Sequence, residues 1–189
     1  MPPIAYLGEP GSVAVTILTV CLTALGCSSA RARLPNEVTD DEYAVYAACI
    51  RHDFKAQPSR LLLAEQTFIF DPLARCSSAE LRAKGVSTAL RAALHDLGQA
   101  EFPVDTDKFR YLPFKIPWTY ETSLRWPPDE SRPYRLVSFS RVAFNRKKTE
   151  GLFAVNDACG GLCGGGGALI ATLRNGEWQF KPAGCFWIS

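Results

Sequence analysis

The fold is decided by the stretch ALIATLRNGEWQF, residues 168–180, close to the C-terminal end of the chain. Apolar and β-prone residues lie on both sides of Asn175-Gly176. A two-residue type I′ turn needs a positive φ angle at both central residues, which asparagine and glycine adopt most readily. We therefore predict two antiparallel strands, Ala168 to Arg174 and Glu177 to Ile188, that are joined by this turn.

Two further strand candidates precede this hairpin. Residues 135–144 and 151–156 are rich in β-branched and aromatic side chains, and the polar residues 145–150 lie between them. Consecutive antiparallel strands that are joined by short loops form a meander. The last quarter of the chain therefore predicts a four-strand meander.

The connection between the second and third of these strands is CGGLCGGGG, residues 159–167. Its six glycines permit backbone turns that side chains forbid, so we predict a tight connector. A phosphate-binding loop would also need a lysine and a hydroxyl before a helix, and neither is present. A thioredoxin-like site has two residues between its cysteines, whereas three separate Cys159 from Cys163.

Two helices are predicted in the first half of the chain. Thr39 and Glu42 have the spacing of a capping box, and apolar residues follow at helical intervals to about residue 52. Ser77 and Glu80 repeat that spacing before a second helix, which Gly98 ends. We predict an α+β fold in which two N-terminal helices pack on an antiparallel sheet that ends in the meander.

Residues 102–133 differ from the rest because they combine seven aromatic side chains with many prolines. Proline at this density excludes a central strand or a helix. We expect an extended or edge segment whose rings pack against the core. The functional alternative is a groove for a ligand or partner, lined by Trp118, Tyr120 and Trp126.

The N-terminus predicts export. Residues 13–25 form an uncharged apolar run that is too short to span a bilayer but fits the core of a signal peptide. The following Leu25-Gly26-Cys27 resembles the lipobox of bacterial lipoproteins, which implies lipidation of Cys27. This divides the chain into a leader (1–27), a tether (28–38) and one domain (39–189). Cleavage after Ala30, which would give a secreted protein, is the alternative.

Export would place five cysteines in an oxidising compartment: Cys49, Cys76, Cys159, Cys163 and Cys185. An odd number permits at most two bridges. Cys159 pairs with Cys163 across the glycine turn, or Cys163 pairs with Cys185 in the last strand. Cys49 and Cys76 form the other pair, or one of them stays buried as a thiol.

Composition limits the function classes. With 47% hydrophobic and 21% charged residues the chain is globular, and a net charge of +2 does not indicate nucleic-acid binding. An oxidising compartment disfavours the free thiolates that Cys159, Cys163 and Cys185 would need to bind a metal, so we predict no metal site, and we predict no cofactor. His52 and His95 lack a nucleophile motif and are predicted at the surface or at helix ends, so no catalytic residue is assigned.

Three motifs resemble those of an uncharacterised family of exported bacterial proteins, many of them lipoproteins. They are Ser140-Arg141-Val142-Ala143-Phe144-Asn145, the CGGLCGGG stretch at residues 159–166, and the closing Trp187-Ile188-Ser189. The resemblance implies the meander and export, and it implies no particular activity.

These observations favour a non-catalytic binding or structural lipoprotein, held in the cell envelope on the periplasmic or outer face by its N-terminal lipid. Its partner would be an envelope protein or ligand. One alternative is a small envelope enzyme or thiol-redox protein that uses Cys159 and Cys163. Another is an immunity-type or inhibitor lipoprotein that binds a partner protein.

Overall fold

The computed structural model of the protein describes residues 36–53, 61–112, 135–158 and 164–188, and the backbone of residues 117–118. The chain divides into two compact units, Met1–Arg33 and Leu34–Ser189, and all described residues belong to the second. The predicted leader, lipidated Cys27, alternative cleavage at Ala30 and most of the tether lie outside the described residues. No helix in the described ranges is long and apolar enough to span a membrane.

The described chain is α+β, as predicted. Its helices are α1 (Asp40–Asp53), α2 (Pro72–Arg75), α3 (Ser78–Ala83) and α4 (Thr88–Leu97), with a 3₁₀ turn at Thr106–Phe109. Its strands are β1 (Leu61–Ala64), β2 (Pro117–Trp118), β3 (Arg135–Phe139), β4 (Ala143–Phe144), β5 (Glu150–Ala158), β6 (Gly164–Arg174) and β7 (Glu177–Ile188).

The strands form a mixed sheet in the order β2-β1-β3-β5-β6-β7, and β4 also pairs with β5. From β3 to β7 the pairing is antiparallel, as the meander requires. β1, however, is parallel to both β2 and β3, so the prediction of an antiparallel sheet is wrong at this edge. The long connection through α2–α4 returns the chain to the end of the sheet from which it left, and such crossovers produce parallel neighbours.

The turn at Asn175-Gly176 has φ angles of +52° and +82°, as the predicted type I′ geometry requires. The glycine connector is shorter than predicted, because residues 164–167 already belong to β6. A β-carbon on Gly166 would lie 2.2 Å from the Trp187 ring, and one on Gly167 would lie 2.6 Å from the Phe186 ring. These glycines are therefore strand residues that make room for aromatic rings of β7.

The second predicted helix is interrupted. α3 ends before Gly85, which has a φ angle of +85°, and α4 begins after Ser87. The Ser87 hydroxyl accepts a hydrogen bond from the Leu90 amide at 3.1 Å and caps the new helix. β1 is short and ends at Ala64.

The sheet buries a separate apolar cluster on each face, because neighbouring residues of a strand point to opposite sides. On β5, Phe153 packs with α1. The adjacent Leu152 and Ala154 pack instead with α3 and α4. We call these two sides the α1 face and the α4 face.

Candidate ligand cavity at the start of α1

α1 begins with the predicted capping box. The Thr39 amide donates to a Glu42 carboxylate oxygen at 2.8 Å, and the Glu42 amide approaches the Thr39 hydroxyl at 3.4 Å. These reciprocal bonds satisfy two backbone donors that the first helical turn leaves without partners. They fix the direction in which residues 36–39 enter the helix.

Glu42 also forms a buried ion pair that the sequence reasoning missed. The Arg141 guanidinium donates to Oε1 of Glu42 at 2.8 Å and to Oε2 at 3.1 Å, and only 1% and 2% of the two side chains are exposed. The Val142 amide donates to the same carboxylate at 2.9 Å. Arg141 donates further to the Glu37 carbonyl at 2.9 Å, so it holds the segment before α1 against the sheet.

A polar network continues this connection into the sheet. The Tyr46 hydroxyl donates to the Ser140 carbonyl at 2.8 Å, and the Ser140 hydroxyl accepts from the Ala154 amide at 2.8 Å. The buried Ser140-Arg141 pair interrupts an apolar strand pattern between β3 and β4. A buried arginine needs an acidic partner, and this is the signal from which the ion pair could have been inferred.

A cavity of about 680 Å³ lies beside this connection. One wall consists of residues 36–40 and Tyr43 of α1, and the other consists of residues 103–105 and Lys108 of the 3₁₀ turn. The volume is in the range of pockets that hold small molecules.

The second wall is held by β1. The Val104 amide donates to the Glu65 carbonyl at 2.7 Å, directly after the strand ends. The Asp105 side chain then accepts from the Asp107 amide at 3.0 Å and caps the 3₁₀ turn. Across the cavity, the Asp105 amide donates to the Tyr43 hydroxyl at 2.7 Å, which joins the two walls.

Three of the residues that line the cavity carry carboxylates (Glu37, Asp40 and Asp105), and one, Lys108, carries a cation. Lys108 forms an ion pair with Asp40, and its ammonium lies 5.4 Å from the centre of the Tyr43 ring. The hydrogen bond to Asp40 raises the pKa of Lys108, so this side chain is charged at neutral pH. Burial raises the pKa of Tyr43, so its hydroxyl stays protonated. The space between the Asp40 carboxylate and the Tyr43 ring therefore accommodates one cation.

The predicted aromatic groove is only partly within the described residues. The backbone of Trp118 lies beside Ala64 of β1, in a two-residue edge strand. Tyr120 and Trp126 lie outside the described residues, so the groove stays a prediction.

The described disulfide joins two cysteines that were not predicted to pair with each other, whereas the predicted Cys159–Cys163 bridge stays a prediction. Cys76, before α3, forms a disulfide with Cys185 of β7, and their Cα atoms are 5.0 Å apart. The Cys163–Cys185 and Cys49–Cys76 pairings are therefore wrong: α3 packs on β7, which brings Cys76 rather than Cys49 or Cys163 to Cys185. Cys159 and Cys163 lie outside the described residues.

Cys49 is a buried free thiol on α1. Burial raises its pKa well above the ordinary value, and the nearby Asp53 carboxylate adds to this effect. A thiol that resists ionisation is a poor nucleophile. Cys49 is therefore a packing residue of the α1 face.

The two histidines lie at the positions expected for helix ends. His52 is in the last turn of α1, and His95 is in the last turn of α4. Nδ1 of His95 lies 2.9 Å from the Asp71 carboxylate, which also accepts from the Leu73 amide and caps α2. The described residues contain no group of three or more side chains that could hold a metal ion.

Comparisons of the chain with family models, with curated proteins and with solved structures found no match.

Proposed function

We propose that this protein is an exported, membrane-anchored binding protein of the cell envelope that acts without catalysis. Its ligand carries an ammonium or guanidinium group, which binds in the cavity between α1 and the 3₁₀ turn. We also propose that Cys27 carries a lipid, that the protein lies in the cell envelope, and that it is related to the exported lipoproteins whose motifs it resembles. The observation that carries the proposed binding is the excess of carboxylate-bearing residues over cationic ones in the cavity lining.

Three carboxylate-bearing residues line the cavity, Glu37, Asp40 and Asp105, against the single cation Lys108. A ligand with several N–H donors satisfies such a wall, whereas an anion would be repelled by it. The Lys108 ammonium already lies over the Tyr43 ring, so a ligand ammonium of the same size would fit this position. The Lys108 side chain is about half exposed and the Asp40 side chain is mostly exposed. Their ion pair is therefore weak enough for a ligand to displace.

The position of the cavity suits an anchored protein. The proposed tether ends at residue 38, and residues 36–38 form part of the cavity wall. Eleven residues span at most about 40 Å when fully extended. The cavity would therefore lie close to the membrane surface, within reach of peptides or small molecules at that surface.

The disulfide between Cys76 and Cys185 supports the export part of the proposal. Disulfides persist in oxidising compartments and are rare in the reducing cytosol. Intact mass of the protein recovered from the envelope tests this part separately. We expect acyl chains on Cys27 and at least one bridge; a mass that includes residues 1–26 would contradict it.

The ligand site is tested with a tripeptide that has a free lysine side chain, compared with the same peptide acetylated on Nζ. Binding is measured by calorimetry or by NMR shifts. We expect Asp40→Asn and Asp105→Asn each to weaken binding of the free peptide by about 3-fold, the magnitude of one exposed charge pair. Lys108→Ala should strengthen binding of the free peptide, because the Lys108 ammonium no longer competes with the ligand for the position between Asp40 and Tyr43.

Asp107→Asn is the matched control. Asp107 lies on the same 3₁₀ turn and pairs with Arg110, but it does not line the cavity. It should leave the affinity unchanged. Equal binding of the acetylated and free peptides, or a loss of affinity in Lys108→Ala, would contradict a cation site.

A further inference from the structure

β7 is the last strand of the sheet, and among the described strands none lies beyond it. Its first half, Glu177 to Lys181, has the sequence EWQFK. An edge strand exposes a row of backbone donors and acceptors that can pair with a further strand. Only those backbone N–H and C=O groups of β7 that point away from β6 are available for such pairing.

The hairpin turn at Asn175-Gly176 determines which backbone groups of β7 point away from β6. In a type I′ turn the first and fourth residues, Arg174 and Glu177, are joined by the turn hydrogen bond, so the backbone groups of Glu177 point toward β6. Consistent with this, the amide of Leu173 donates away from β7, to the Thr149 carbonyl at 2.8 Å. Because residues alternate along a strand, the N–H and C=O groups of Trp178 and Phe180 point outward.

We propose that β7 pairs with β7 of a second copy of this chain, antiparallel and with Gln179 on the twofold axis. In this register Trp178 of one copy lies opposite Phe180 of the other. These are the residues whose backbone groups point outward, so the pairing forms four hydrogen bonds between the copies. Pro182 has no N–H group, which ends the pairing at the point where the next outward donor would be needed.

The side chains are complementary in the same register. Glu177 of each copy lies opposite Lys181 of the other, in a pair without backbone hydrogen bonds, where side chains approach most closely. Lys181 donates one hydrogen bond to the Lys84 carbonyl, and its ammonium has two further protons for a carboxylate. A shift of two residues in one direction places Glu177 opposite Gln179 and loses both ion pairs. A shift of two in the other direction brings Pro182 into the pairing opposite Trp178, so charge and backbone select one register.

The aromatic side chains join the α1 faces of the two copies. Trp178 packs against Phe144 with ring centres 6.0 Å apart, and Phe180 packs against Phe153 at 6.1 Å. Both rings are only half-buried. Cross-strand aromatic pairs stabilise a strand pairing beyond the burial of their area, so covering these rings favours the second copy over solvent.

The test uses charge reversal in the full chain, purified in mild detergent, with the dissociation constant measured by analytical ultracentrifugation. Glu177→Lys and Lys181→Glu each place like charges opposite one another at two symmetric positions. Each should weaken the dimer by about 10-fold. The double variant, and an equimolar mixture of the two single variants, should recover the affinity because both restore opposite charges.

Glu101→Lys is the matched control, since Glu101 is exposed on the loop after α4 and makes the same change of charge. It should leave the dimer unchanged. A protein that stays monomeric at about 1 mM would overturn the proposal. So would a dimer that the single reversals do not weaken, or single variants that remain monomeric when mixed although each is folded by circular dichroism.

Discussion

The two faces of the sheet are fixed to their helices by different means. On the α1 face, the buried Glu42–Arg141 pair links the first turn of α1 to the segment between β3 and β4. On the α4 face, small sheet residues such as Ala154 and Ala168 allow close approach of the helices, and the Cys76–Cys185 disulfide adds a covalent link.

The ion pair on the α1 face fixes the position of the cavity wall, whereas the disulfide on the α4 face mainly stabilises the fold. The ion pair is directional, since each oxygen of Glu42 has a defined donor, and it places the cavity wall at residues 36–40. The disulfide stabilises mainly by restricting the unfolded chain and imposes less on local geometry. The face with the fixed polar network is therefore the face next to the candidate site.

The largest effect is expected on the α1 face. Arg141→Met leaves the Glu42 carboxylate buried without its cation, which should lower the free energy of unfolding by about 3–5 kcal/mol. Denaturant unfolding measures this. The double variant Glu42→Gln/Arg141→Met has no buried charge and keeps an acceptor for the Val142 amide, so it should recover part of the loss. A cost below about 1 kcal/mol for Arg141→Met would show that the charges are not isolated from water.

Removal of the disulfide should have the next largest effect. The link closes a sequence separation of 109 residues, and Cys76→Ser/Cys185→Ser should cost about 2–4 kcal/mol of unfolding free energy. Cys49→Ala is the control, since Cys49 is not bridged, and it should respond to reductant as the original protein does. A further shift of the double serine variant by reductant would reveal a second bridge, which Cys159 and Cys163 could form.

The smallest effect is a pH dependence on the side of α2 and α4. Burial by itself would raise the pKa of Asp71, but the hydrogen bonds with His95 and with the Leu73 amide outweigh it and lower the pKa below its ordinary value. The carboxylate therefore stabilises the fold above the unfolded pKa of about 3.9, and this contribution is lost as the pH falls through the lower folded value.

Asp71→Asn should remove that part of the acid sensitivity. Because the site is partly exposed, the difference should be below about 1 kcal/mol. Unfolding curves at pH 6 and pH 2.5 measure it, with Asp107→Asn as an exposed control. An identical loss of stability at low pH in Asp71→Asn and the original protein would show that this bond does not matter.

Local patterns predicted local structure well. The Thr39–Glu42 capping box and the Asn175-Gly176 turn depend on neighbouring residues and occur as predicted. Gly85 shows the limit of such patterns. The apolar spacing continues across it, but its positive φ angle ends α3, and Ser87 starts α4.

The cavity could not be predicted in the same way. Its walls are separated by about sixty residues in sequence and are brought together by the bond from the Asp105 amide to Tyr43. Each wall taken alone is a common capped turn with acidic residues. Only their juxtaposition brings Asp40 and Tyr43 of one wall to Lys108 of the other.

The sequence by itself determined the α+β class, the meander and its turn, because strand alternation and turn chemistry act over a few residues. The tertiary structure decided the pairings that span long separations. Arg141 lies 99 residues from Glu42, and Cys185 lies 109 residues from Cys76. A buried arginine requires an acid and an oxidised cysteine requires another cysteine, but neither requirement states which one. The choice follows from the packing of helices on the two faces of the sheet.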